Sequence, residues 1–287
     1  MNTRTAMFAG SWYPDNAKDC EKQINAFVEE GQKSSPPSDR KWVGGIAPHA
    51  GWYFSGSIAC NAIHCLTYGL LPDVIAIFGM HLHPNSNYYI TKSGAFETPF
   101  GDLPIAEDLS HQLSRKFKFT IETTEKFNPD NTIELQLPFI KYFFPNVQIV
   151  PVGVPPHVSC LEVGQSLTAL AYEAGINLKV IGSTDLTHYG ANYGFTEKGT
   201  GHSAVKWVTE ENDRRIIERI INMDAKGVIE EGLTHQNACC AGAAAAAIAS
   251  SKKLGASTAK SVAYATSYDK SPGDSFVGYV GVVFGKS

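Results

Sequence analysis

Short, uniformly apolar runs rich in β-branched residues recur along the chain: Val43–Ala47, Val74–Phe78, Val147–Val154 and Leu178–Gly182. Runs that are apolar at consecutive positions, and no longer than a strand, predict strands buried on both faces. Around them the apolar positions fall at helical spacing, predicting helices over Asp19–Gly31 (Cys20, Ile24, Phe27, Val28), Ser55–Leu66, Ala106–Phe117, Thr132–Phe143 and Cys160–Ala174. Tyr88–Thr91 and the turn Pro99–Asp102 predict a β excursion after the second central strand. Ser203–Met223 and Asp224–Glu231 read as helices, and Ala238–Leu254 as an alanine-rich helix closed by Gly255 at its C-cap. Two final strands, Ser261–Ser267 and Phe276–Phe284, flank a turn at Lys270–Asp274. Gln32–Lys41 is polar and rich in Pro and Ser, a loop rather than a linker, because too little chain precedes it to fold alone. Alternation of this kind predicts an α/β fold: a single domain over residues 1–287, with a mixed central sheet and helices on both faces.

Composition narrows the class without changing that picture. With 43% hydrophobic and 18% charged residues, the chain reads as an ordinary globular protein. A net charge of −4 gives no electrostatic footprint for nucleic acid or an anionic membrane. No apolar run is long enough to span a bilayer, and Met1–Pro14 lacks the basic-then-apolar layout of a signal peptide. The six cysteines are scattered, which predicts free thiols in a reducing cytoplasm, with Cys60, Cys65 and Cys160 as small core residues. A Walker A sequence, a Gly-x-Gly-x-x-Gly turn, a His-Glu-x-x-His helix and a Gly-x-Ser-x-Gly elbow are all missing. Nucleotide-dependent chemistry, zincin proteolysis and α/β-hydrolase esterolysis are therefore not expected.

Three polar clusters follow three of the predicted strands. His49 comes after Val43–Ala47, His81 and His83 after Val74–Phe78, and Ser183-Thr184-Asp185-Leu186-Thr187-His188 after Leu178–Gly182. Ligands in α/β folds bind beyond the carboxyl ends of strands, and imidazole is a good ligand for Fe, Zn and Cu or an acid/base. Ser183, Asp185 and His188 have the residue types of a catalytic triad but crowd into one short loop, which disfavours that reading. Cys239 and Cys240 stand at the start of the alanine-rich helix, where a helix N-terminus favours a thiolate. The competing reading is tight packing of small residues.

Five segments in order, Ala9–Pro14, Ala47–Gly51, Thr98–Leu103, Ile133–Phe139 and Ser183–Tyr189, resemble the MEMO family, whose prokaryotic members are labelled AmmeMemoRadiSam system protein B. The resemblance runs from about Met7 to Phe284. It implies a fold similar to class III extradiol dioxygenases, which use non-haem Fe(II), and a pocket lined by three His and a Cys. Carried over, His49, Asp185, His188 and Cys239 match, with Cys240 standing where the family has Gly and so a second candidate thiol. The family's His after the second strand aligns with Leu82, so either His81 or His83 would supply it, and a common pocket His is Asn131 here. What the resemblance implies is a metal centre of His49, His81 or His83, and Cys239, with His188 as acid/base oriented by Asp185. Fe(II) is the expected ion, with Cu or Zn as alternatives. The aromatics Trp12, Tyr13, Trp52 and Tyr189 are expected to wall the pocket. The function expected from the resemblance is a redox, dioxygenase-like enzyme acting on a small molecule; an adaptor that binds a ligand or peptide without turnover and a Zn-dependent hydrolase are the competing functions. The family label further implies radical-SAM and AMMECR-type protein partners.

Overall fold

Four parallel strands carry the fold, and everything else is arranged over their two faces and their carboxyl ends. The computed structural model describes residues 2–31 and 41–286, so the predicted loop Gln32–Lys41 falls, except for Lys41, outside the described residues. In chain order the elements are β1 (Thr3–Arg4), α1 (Ala17–Gly31), β2 (Trp42–Ala47), a π turn (Trp52–Gly56) leading into α2 (Ser57–Cys65), β3 (Val74–Gly79), β4 (Tyr88–Thr91), β5 (Ala95–Phe96), β6 (Leu103–Pro104), α3 (Glu107–Lys116) and β7 (Phe119–Glu122). There follow α4 (Asn131–Glu134), α5 (Leu137–Phe143), β8 (Gln148–Gly153), α6 (Cys160–Glu173), β9 (Leu178–Ser183), β10 (His188–Tyr189), α7 (His202–Trp207), a π turn (Val208–Asn212), α8 (Asp213–Ile221), α9 (Ala225–His235), α10 (Ala241–Lys253), β11 (Thr258–Thr266) and β12 (Phe276–Gly285).

Among the described residues the large sheet has nine strands, and its order from β12 is β12-β2-β9-β3-β8-β4-β7, with β11 along β12 and β10 added at the start of β12. Strands β2, β9, β3 and β8 run parallel, while β12 and β4 pair antiparallel at their flanks. A separate three-stranded sheet joins β1, β5 and β6. The mixed sheet with helices on both faces agrees with the fold predicted from the sequence.

Side-chain alternation along the central strands divides the core. Val74, Ala76 and Phe78 of β3 face a cluster built with α3, α6, α8, α9 and α10, whereas Ile75 and Ile77 face α1, α2 and α5. Burial on both faces is why these runs read as continuously apolar. On the first face, helix α10 lies close to the sheet because its residues Ala243–Ala247 are buried and small. A Cβ on Gly182 of β9 would stand 2.8 Å from the Ala243 carbonyl oxygen, so a glycine is required at that crossing.

Several helices differ from their predicted extents. Thr132–Phe143 divides into α4 and α5, with Pro138 accommodated at the start of α5 where an N–H is dispensable. The predicted helix over Ser203–Met223 is interrupted by the π turn Val208–Asn212, whose buried Asn212 side chain donates to Thr187 Oγ1 (3.1 Å) and the His235 carbonyl (3.1 Å). Helix α10 begins at Ala241, so Cys239 and Cys240 precede it instead of forming its first turn.

Candidate metal centre

Strands β2, β9 and β3 are neighbours that run the same way, with Ala47 opposite Ser183 and Phe78 opposite Gly182. The chain therefore leaves the sheet at three adjacent points. Each exit carries a polar residue two positions beyond the strand: His49 after Ala47, Asp185 after Ser183 and His81 after Gly79. Met80, between β3 and His81, has φ +72°, a left-handed conformation that costs a non-glycine residue about 1–3 kcal/mol. Thr132 Oγ1 holds it there by accepting the Met80 N–H at 2.7 Å. The opening of α10 approaches from one face, delivering Cys239 and Cys240 to the same place.

His49 is 1% exposed and fixed at every polar atom. Its main-chain N–H donates to Asp185 Oδ1 (2.7 Å) and its carbonyl accepts from Asn131 Nδ2 (3.0 Å). Its Nδ1 lies 2.9 Å from Ser183 Oγ, which also accepts from Gln136 Nε2 (3.3 Å); Gln136 Nε2 bonds the Pro48 carbonyl as well (2.8 Å). An Nδ1–H donated to Ser183 directs Nε2 at the centre, an orientation metal-binding histidines obtain from a second hydrogen bond. There, His49 Nε2 is 3.2 Å from His81 Nε2, 3.2 Å from Cys239 Sγ and 3.9 Å from Asp185 Oδ2. The Asp185 N–H donates to Cys239 Sγ (3.2 Å), and the Cys239 N–H returns a bond to the Asp185 carbonyl (3.2 Å). Cys240 Sγ lies 3.8 Å from Cys239 Sγ and donates to the Met80 carbonyl at 3.5 Å. The Nε2 atoms of His49 and His81 and the two sulfurs all lie within 4.8 Å of one another.

The electrostatics suit a cation. Burial disfavours charge on His49, but the Asp185 carboxylate and the Cys239 sulfur outweigh it and push its pKa up to about 9. Burial likewise opposes ionisation of Cys239, yet the Cys240 thiol, the charge of His49 and the bonds from both histidines hold it well below the usual thiol range. Cys240 moves the other way, raised by burial and by the neighbouring sulfur of Cys239. Burial raises Asp185, against the opposing charge of His49. A proton on His49 thus sits between two imidazoles and an anionic sulfur, where a metal ion would displace it. On the chemistry of this donor set, two imidazoles and adjacent thiols, the residues fit a transition metal.

His188 is half-buried and lines the same cleft, but its orientation comes from Leu186 and Tyr193. Its Nδ1 lies 3.2 Å from the Leu186 carbonyl and its ring meets Tyr193 edge-on at 5.0 Å, while the Asp185 carboxylate is bonded to the His49 main chain. His83 stands apart from the cluster, exposed on a turn where Nδ1 accepts the Asn85 N–H at 3.3 Å. His64, His111, His157, His202 and His235 also lie elsewhere. The cleft over His49 and His81 has a volume of about 580 Å³. Trp12, Tyr53, Phe54, Tyr193 and Tyr279 wall it, with Asn131, Ser267, Ser271 and Ser275 supplying polar edges. Of the four aromatics expected to wall the pocket, only Trp12 does so. Tyr13 is buried with its hydroxyl on Glu134, Trp52 stacks on Phe139 (4.1 Å between centroids), and Tyr189 donates to the Gly199 carbonyl. Ser183, Gln136 and Thr184 were not singled out as positioning groups by residue type alone, although each is a buried polar residue in or beside an apolar segment.

Comparison with known proteins adds a family. The sequence model described as Memo-like protein matches residues 4–283. A MEMO1 family protein of Pyrococcus furiosus is 31% identical, covering 99% of both chains, and one of Methanothermobacter thermautotrophicus is 32% identical, covering 96% of this chain and 98% of its own. Among solved structures, an uncharacterized protein from Escherichia coli K12 superposes with a TM-score of 0.53 at 11% identity, over 84% of this chain and 98% of its own, a likeness of fold alone.

Proposed function

We propose that this chain, which belongs to the Memo-like family, binds a transition metal through His49, His81 and Cys239 and uses it in redox chemistry on a small molecule held in the adjoining cleft. The observation that carries the reading is convergence: Nε2 of His49 lies 3.2 Å from both His81 Nε2 and Cys239 Sγ, though the three residues come from three separate segments. When bound, the ion supplies Lewis acidity and access to a second oxidation state. Iron(II) is the ion we assign, following the resemblance to the dioxygenases, and copper suits the thiolate in the same role.

The protein's own residues supply the remainder. The Ser183 and Gln136 bonds orient His49, and Asp185 ties the His49 main chain to the Cys239 main chain. His188, with Nδ1 turned to the Leu186 carbonyl, presents Nε2 as the proton donor or acceptor for a substrate in the cleft. The wall of Trp12, Tyr53, Tyr193 and Tyr279 favours a substrate with a flat or apolar body, and the serine edge favours one bearing oxygen groups. The radical-SAM and AMMECR-type partners belong to this reading through the family resemblance alone.

Metal analysis of protein purified without oxygen tests it. Stoichiometric iron or copper, lost in His49→Ala and in Cys239→Ser while both variants remain folded, is the expected result. Stoichiometric zinc would support the hydrolase reading instead, and a wild-type protein that takes up no metal would support the adaptor.

A further inference from the structure

The geometry points to Cys240 as a fourth ligand, closing a tetrahedral set of two nitrogens and two sulfurs around the ion; this rests on the metal reading above and sharpens it. Ligand bonds of about 2.0–2.1 Å from nitrogen and 2.3 Å from sulfur in a tetrahedral site require edges of roughly 3.3 Å between two nitrogens and roughly 3.8 Å between two sulfurs. The distances between side chains here are 3.2 Å for His49 Nε2 to His81 Nε2 and 3.8 Å for Cys239 Sγ to Cys240 Sγ. The mixed edge from Cys239 Sγ to His49 Nε2 is 3.2 Å, and no pair among the four atoms exceeds 4.8 Å. Both like-atom edges thus stand within about a tenth of an ångström of the tetrahedral value, and the mixed edge lies about 0.3 Å inside the roughly 3.5 Å that the same bonds require.

Cys240 is placed to do this by contacts of its own. Its main-chain N–H donates to Thr184 Oγ1 at 3.0 Å, in the loop after β9, and its sulfur faces the carbonyl of the left-handed Met80. That carbonyl accepts only a weak bond at 3.5 Å, which coordination replaces at little cost. The four donors divide by side. Cys240 is 3% exposed and enters from the protein interior, whereas His81 is exposed and lines the cleft. The cleft thus opens on the histidine side, His49 and His81 lining it, and Cys240 would hold an ion from the interior side. Two sulfurs rather than one also shift the site toward thiophilic ions in tetrahedral geometry.

Cobalt(II) and zinc are the probes. In the wild-type protein, cobalt should give the intense visible bands of a tetrahedral ion with thiolate charge transfer. Cys240→Ser should keep one equivalent of cobalt with the charge-transfer intensity reduced by about half and zinc affinity lowered at least tenfold, because one of two coordinating sulfurs is gone. Cys60→Ser, a buried thiol elsewhere, should change neither. X-ray absorption of the zinc-loaded wild type gives the same answer without any variant: two sulfurs near 2.3 Å and two nitrogens near 2.0 Å. A single sulfur by absorption, or a Cys240→Ser protein with undiminished charge transfer and affinity, overturns Cys240 as a ligand and leaves the three-residue site standing. A wild type that binds neither ion overturns the underlying metal reading itself.

Discussion

At the scale of single residues, the site is governed by uncharged polar groups as much as by its candidate ligands. Ser183 Oγ is the contact of His49 Nδ1, so its loss frees the imidazole to rotate and to exchange tautomers. Ser183→Ala should lower metal affinity about 10–100-fold although it removes none of the candidate ligands; a competition titration with a chromophoric chelator measures it, and unchanged affinity would remove Ser183 from the positioning set. Groups of this kind are hard to read in a sequence, since a serine ending a strand and a glutamine between two leucines have no chemical signature of their own. The histidines were easier to notice because each follows an apolar strand. Their direction was not readable: which of His81 and His83 turns inward depends on the positive φ of Met80, a conformation that methionine does not advertise. Cys239 and Cys240 were visible as a pair, but the 3.8 Å between their sulfurs arises from a loop held by Thr184 and Asp185, far away in sequence.

At the scale of elements, the approach of α10 to the sheet controls where the thiols stand. Gly182 permits the approach: a Cβ there would lie 2.8 Å from the Ala243 carbonyl and from Ala247 Cβ, and 2.9 Å from Ile46 Cδ1. Gly164 of α6 does the same on the helix's other side, and Ser250 Oγ closes that contact by donating to the Gly164 carbonyl at 2.7 Å. Gly182→Ala should destabilise the fold by about 1–3 kcal/mol, as overpacking of a dense core does. It should also weaken metal binding, since the displaced helix carries Cys239 and Cys240 away from His49. Urea unfolding and metal content, measured on the same preparation, check both halves; a variant as stable as the parent would show that the crossing has slack. The alanine tract made the helix legible through its propensity. Its true start at Ala241 was not, because Cys239 and Cys240 give their N–H groups to the Asp185 carbonyl and Thr184 Oγ1, contacts a local reading does not contain.

At the scale of the whole molecule, the alternation of apolar runs was enough to give a mixed sheet between two helical layers, while the strand order was not legible because it is set by pairings far apart in sequence. The placing of β2, β9 and β3 side by side is what converts three unrelated strand ends into one site. That convergence is braced from behind by Asp213, fully buried at the start of α8. It accepts the Thr187 N–H (3.0 Å), the Thr187 hydroxyl and the Tyr264 hydroxyl (2.8 Å), joining α8, the loop that carries Asp185 and leads into β10, and β11. Gly278 of β12 makes room for it, since a Cβ there would meet Asp213 Oδ2 at 1.9 Å. Burial raises the Asp213 pKa from 3.8 to about 6, only partly offset by the Thr187 and Tyr264 bonds. Between those two pH values the folded chain keeps a proton that the unfolded chain has released. The stabilisation from this proton is complete below pH 3.8 and is lost as pH rises through about 6, a change of roughly 3 kcal/mol at most. Asp213→Asn carries no such proton and retains an acceptor for the Thr187 N–H. Its stability should therefore gain on that of the parent as pH rises from 4 to 7. Paired urea titrations across this range give the difference directly. Parallel curves for the two proteins would mean that Asp213 titrates near its unfolded value and that the brace behind the site is ionised throughout.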